Sequence, residues 1–223
     1  MRTAITKSHT SRRSFTNRPD RVGVTLTVLS SARLRRVTAL RVSLAMTLFL
    51  VVAPAAATQR PGQPVIRVSS LEHHVHDLID KERRDHKLIA LVFDERLSTI
   101  ARAHSHDMAA RNFFSHTNPD GQDATARGKL AGFSCRKLVA KNTFSEGLGE
   151  NLFQDNLYSR VRISGSERSY DWNTPEEIAA HSLNGWMNSP PHRRNILEKT
   201  YGQTGVGIAI SDDGKVYITQ LFC

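Results

Sequence analysis

The sequence predicts an α+β fold in which helices cover an antiparallel sheet, and three observations predict it. Helical periodicity of apolar residues fills the first part of the chain after residue 68. Two alternating β-branched runs, "TGVGIAIS" and "KVYITQLF", close it, joined through Asp212, Asp213 and Gly214 as an antiparallel hairpin. Helices and paired strands are therefore segregated rather than alternating, which argues against a parallel α/β sheet.

Ahead of the fold, residues 1–57 read as an export signal region with a long basic extension. They hold nine Arg and one Lys against Asp20 alone. The remaining chain carries 21 basic and 20 acidic side chains, so nearly all of the +10 net charge sits in this segment. That distribution removes the main support for a nucleic-acid partner. "RLRRVTALR" supplies a positive region, and "VSLAMTLFLVVAPAAA", residues 42–57, an apolar stretch ending in the small pair Ala55 and Ala57. At about 16 residues it falls short of the ~20 a spanning helix needs, and Pro54 breaks it. A cleaved signal with cleavage near Thr58 is expected; membrane contact arises only if the signal stays uncleaved. "SRRSFT" at 11–16 has a twin-arginine character but lies far upstream of the apolar run.

Residues 58–68 read as an extended linker, with Pro61, Gly62 and Pro64 excluding a helix. The domain is placed at 69–223, enough chain for one hydrophobic core. Its first helix is expected from Ser69, where Ser69 and Glu72 have capping-box spacing and Leu71, Val75, Leu78 and Ile79 form a stripe. His73, His74 and His76 lie too close in sequence to converge on a metal from one helix. A second helix is expected from about Asp94 to Arg111, with His104 on its apolar face beside Leu97, Ile100, Ala101 and Met108. A short helix follows near Asp123–Ala131, closed by Gly132. Residues 134–149 read as loop, "NLFQDNLYSRVRI" as a helical turn and a strand, and "SGSERSYDWN" as a polar insertion. Thr174, Pro175 and Glu177 announce the next helix through a capping box, and "NSPP" ends it.

Four motifs in order, "FFSHTNPDG", "GENLF", "PEEIAAHSLNGWMNSPPHRRNIL" and "GVGIAI" with "KVYITQLF", resemble bacterial members of the CAP superfamily, named for cysteine-rich secretory proteins, antigen 5 and pathogenesis-related 1 proteins. The resemblance covers about residues 71–222 and implies a three-layer α-β-α sandwich and a secreted or envelope location. In the eukaryotic branch a cleft with two His and two Glu binds a divalent metal in some members. Carried over by position, the first His matches His116 and the Glu of "GEN" matches Glu150, whereas the second Glu falls on Ser189 and the second His on Tyr217. Half of that tetrad is kept.

The cleft candidates are thus His116, Glu150, His192, Ser189 and Tyr217. A His–Glu pair can crosslink two loops, or present a base or metal ligand at a cleft. His116, Glu150 and His192 would reach the three ligands that a zinc site requires if they converge. Ser189 with His192 offers neither a nucleophile elbow nor an oxyanion hole. Cys135 and Cys223 are the only cysteines; in an oxidising compartment they can close a loop of roughly 90 residues, contributing about 4 kcal/mol, or remain free thiols. The expectation is a secreted or envelope protein that binds an envelope, lipid or peptide ligand through a polar cleft. The alternative is a metal-dependent hydrolase acting on peptide or cell-wall material.

Overall fold

The structure, a computed structural model, describes Arg60 and residues 62–223. The export signal region, its expected cleavage site and most of the start of the linker lie outside the described residues.

Helix α1 (Val68–Asp85) starts at Arg67 without a side-chain cap. The expected Ser69–Glu72 capping box is therefore absent, because Glu72 turns inward instead. It is 1% exposed, takes a bidentate ion pair from Arg102 and accepts the backbone N–H of Ile208 at 3.1 Å. A two-residue strand that the sequence reading missed, β1 (Val92–Phe93), leads into α2 (Glu95–Arg111). Asp94 caps α2 through bonds from Arg96 N and Leu97 N. Helix α3 (Ala124–Leu130) is capped by Asp123 and followed by Gly132 at φ 69°, as expected.

Two expectations fail in the middle of the chain. Residues 134–149 contain a hairpin, β2 (Arg136–Ala140) with β3 (Thr143–Glu146). The "NLFQDNLYSRVRI" segment holds two strands and no helical turn: β4 (Gly149–Asn156) and β5 (Tyr158–Ser164). Much of the polar insertion is β6 (Glu167–Trp172), paired with β5 in a two-stranded ribbon. Helix α4 (Pro175–Met187) carries the predicted capping box, with Thr174 and Glu177 each bonded to the other's backbone N–H. The short α5 (Pro190–Ile196) follows, then the hairpin β7 (Gln203–Ile210) and β8 (Lys215–Phe222).

The main sheet has the order β1-β7-β8-β4, antiparallel except for the short parallel β1–β7 pair at its edge. Strand alternation divides the core. Val206, Ile208, Val216, Ile218 and Phe222 pack with Leu71, Val75 and Ile79 of α1 and Ile178 and Trp186 of α4. On the opposite face α2 lies almost on the backbone of β7. A Cβ placed on Gly207 would stand 2.0 Å from Arg102 N, and one on Gly205 2.3 Å from Ser98 N. The layers are therefore α2 and α3, the sheet, then α1, α4 and α5, the α-β-α sandwich expected. Where β7 outruns β1 its free donors are covered: Ser98 Oγ accepts from Val206 N at 3.1 Å, as Glu72 does from Ile208 N. Cys135 and Cys223 are joined in a disulfide with Cα atoms 5.5 Å apart, which ties the β2 end to the last residue after β8.

Candidate functional site

His116 sits in the loop between α2 and α3, and that loop is built to hold it. Asn112, at φ 50°, ends α2 in a left-handed conformation. His104, 1% exposed on the inner face of α2, bonds the Ser115 carbonyl through Nε2 at 3.0 Å. Asn118 Oδ1 accepts from Asp120 N at 3.2 Å and Gln122 N at 2.9 Å, closing the "NPDG" turn with Gly121 at φ 78°. Glu150 comes from the other side, at the start of β4 opposite Leu221 of β8. Gly147, at φ 104°, lets the chain turn into that strand.

The two meet. His116 Nδ1 donates to Glu150 Oε1 at 2.8 Å. Arg127 of α3, buried with its side chain 8% exposed, donates Nη2 to Glu150 Oε2. Its Nη1 also donates to the carbonyls of His116 at 3.0 Å and Gln122 at 2.9 Å. One guanidinium thus fixes both the carboxylate and the loop that bears its imidazole partner. Beneath them Asn195 Nδ2 donates to Glu150 O at 3.0 Å and to Asn151 Oδ1 at 2.9 Å, and Asn151 Nδ2 donates to His192 O at 3.2 Å.

His192 joins by proximity. Its ring centroid lies 6.4 Å from that of His116, too far for a hydrogen bond between the rings. Ser189 is the N-cap residue of α5 and its side chain makes no capping bond. Tyr217 is 2% exposed and packs with Met108 and Leu152, so its ring belongs to the core under the site. Sequence reasoning missed Arg127. The signal was available: Ala124, Arg127 and Gly128 share the inner face of α3, and an arginine on such a face requires a buried acid.

The electrostatics separate the two imidazoles. The Glu150 hydrogen bond raises the His116 pKa above the ordinary histidine value, against burial and the nearby Arg127 charge. Burial, followed by the charge of His116, lowers that of His192. The site thus pairs the Glu150 side chain with one guanidinium and with an imidazole biased toward its cation. The His116 side chain is 57% exposed, and with Nδ1 bound to Glu150 its Nε2 is the ring nitrogen left for an incoming group.

This arrangement offers a divalent metal few free ligand atoms. Both Glu150 oxygens are engaged, one by a permanent cation, and of the pair only His116 Nε2 is left as a ligand atom. Among the described residues no group of three or more His, Cys, Asp or Glu side chains is placed to hold a metal ion.

The sequence profile of the cysteine-rich secretory protein family matches residues 76–222. That match and the fold define a CAP domain, and the chain belongs to that family. It is 31% identical over 170 residues to the uncharacterized protein YkwD of Bacillus subtilis, a match covering 75% of this chain and 54% of that protein. It is 27% identical over 151 residues to the uncharacterized membrane protein YlbC of the same organism, covering 68% of this chain and 34% of that protein. The chain thus spans about half the length of the first curated relative and a third of the second. An extracellular SCP-domain protein from Bacillus anthracis superposes with a TM-score of 0.51 at 25% identity, covering 71% of this chain and 44% of that one. An outer surface protein of Borrelia burgdorferi shares the fold, with a TM-score of 0.50 at 15% identity, 70% of this chain and 95% of that one being covered. These neighbours are extracellular or surface proteins, and no helix among the described residues is long and apolar enough to cross a membrane.

Proposed function

We propose that the protein is exported and binds a component of the cell envelope at the His116–Glu150–Arg127 cleft, without catalysing a reaction there. The observation that carries this reading is the saturation of Glu150. A carboxylate holding His116 and Arg127 at once is a poor general base and a poor metal ligand, yet it is well placed to hold His116 as a cation. The protonated Nε2–H, half open to solvent, is a charge-assisted donor, and it suits a carboxylate, phosphate or carbonyl on the ligand. Export is supported by the signal-like residues 42–57, by a disulfide that needs an oxidising compartment, and by the surface location of the solved neighbours.

The test is co-sedimentation of the purified protein with isolated cell envelopes at pH 6, beside N-terminal sequencing of the exported form. A start near Thr58 and at least a several-fold loss of binding in His116→Ala are expected. Equal sedimentation of the variant, or turnover of a peptide or peptidoglycan panel that is lost in Glu150→Ala, would contradict the proposal.

A further inference from the structure

Arg83, in the last turn of α1, is buried and clamps that turn to the end of α5. Its Nη1 donates to the carbonyls of Ile196 at 2.6 Å and Glu198 at 2.9 Å, and its Nε to that of Ile89 at 2.9 Å. The clamp sets two basic segments side by side, "RRDHK" at 83–87 and "HRR" at 192–194. They touch, with Arg193 Nη2 3.3 Å from His86 Nε2. His86 Nδ1 donates to the Glu82 carbonyl at 2.9 Å, so Nε2 accepts from Arg193. The imidazole thereby orients the guanidinium without cancelling its charge, and leaves its other N–H groups open.

Arg84, Lys87, Arg193 and Arg194 are all exposed, and among the described residues none is ion-paired with a carboxylate. The neighbouring acids are engaged elsewhere: Asp85 holds Lys81 at 2.7 Å, Glu198 accepts the Thr200 N–H at 2.9 Å, and Glu82 lies 3.4 Å from His86 Nδ1. Helix-dipole matching accounts for Arg84 at the end of α1, but not for a second basic segment laid against it. The patch also leads toward the cleft. His192 precedes Arg193, and its ring centroid lies 6.4 Å from that of His116. Basic side chains thus follow one another from His116 through His192, Arg193 and His86 to Lys87. An exposed ion pair is worth little in water, so none of these cations holds a single anion well. A chain bearing several anions engages them together, each contact after the first being intramolecular.

We propose that the surface formed by the end of α1 and by α5 binds a linear polyanion of the cell envelope, whose successive anionic groups meet Lys87, Arg193 and their unpaired neighbours. This names a ligand class for the envelope-binding reading, and it rests on that reading only where the chain would continue to His116. A flexible chain can follow a path that ends beside the buried Glu150, which a flat bilayer cannot. Ile89, 86% exposed two residues after Lys87, is the side chain a bilayer would use instead.

The test titrates inorganic polyphosphate, orthophosphate and vesicles of phosphatidylglycerol into the full chain while following backbone amide resonances of the fold, since the basic segment before residue 58 is common to every sample. Saturable shifts at 84–87 and 192–194 are expected with polyphosphate, with an affinity per phosphate about ten-fold or more above that of orthophosphate. Lys87→Gln with Arg193→Gln should abolish them while leaving the thermal transition intact, both side chains being exposed. Three results would overturn the proposal: no saturable shift at these residues, equal affinity for single and linked phosphates, or undiminished binding in the double variant. So would broadening at 84–89 by the vesicles alone that is lost in Ile89→Ser, which would assign the surface to a membrane. Polyphosphate binding that is lost in His116→Ala but kept in the double variant would sink this inference and leave the cleft reading standing. The opposite pattern would uphold the polyanion surface and count against the cleft.

Discussion

Arg127 distributes its guanidinium over three segments, donating to the carbonyls of His116 and Gln122 and to the carboxylate of Glu150. Removing one partner of such a pair leaves a buried charge uncompensated, which costs about 3–5 kcal/mol, whereas replacing both with apolar groups is often close to neutral. Glu150→Leu and Arg127→Met alone should each lower stability by about that amount, and the double variant by much less than their sum, as read by urea unfolding. Additive losses would mean that the two residues do not form a coupled pair. His116 behaves differently because its side chain is 57% exposed, and solvent screening holds its contribution below about 1 kcal/mol. Its pKa is raised in the fold, so that contribution is fully present below the ordinary histidine value near 6.5 and fades as pH rises through the raised value. His104 runs the other way. Its pKa is lowered by burial and then by the Arg127 charge, so stability falls as the pH drops below the ordinary value.

Helix α2 and strand β7 are joined more closely than side chains would allow, since Gly205 and Gly207 bring the backbones into contact. Ser105 Oγ stands 2.8 Å from both the Gly207 carbonyl and Thr219 Oγ1 at the same crossing. Gly207→Ala would put a methyl 2.0 Å from the Arg102 nitrogen, and because the obstacle is backbone it cannot swing aside. A loss of about 3 kcal/mol or more is expected by urea unfolding; an unchanged midpoint would mean that the helix sits farther from the sheet. The elements legible in the sequence were those with a strong period or a cap: α2, α4 with its Thr174–Glu177 box, and the terminal hairpin. The hairpin read as loop lacks a buried face. Strand β3 is exposed at all four positions and β2 at four of five, so neither leaves an alternating pattern to find. Ser69 and Glu72 show the reverse failure, a correct local signal overridden because Glu72 pairs with Arg102 and covers the edge of β7.

At the scale of the whole molecule, the fold brings to one place groups far apart in the chain: an imidazole on a loop, a guanidinium on α3, a carboxylate on β4 and a second imidazole on α5. The His116–Glu150 half was legible because their motifs resemble the family's. The Arg127 contribution became plain only once α3 was seen against β4. The Cys135–Cys223 bridge locks the β2 end to the chain's last residue, restricting the unfolded chain by an amount worth about 4–5 kcal/mol in the loop-entropy picture. The central claim, that Glu150 draws His116 toward its cation while burial and the His116 charge push His192 toward the neutral ring, is tested most directly by titrating both rings by NMR in the unmodified protein. The account predicts a His116 pKa above the ordinary histidine value and a His192 pKa below it. Two rings titrating together, or His116 titrating lower than His192, would contradict it.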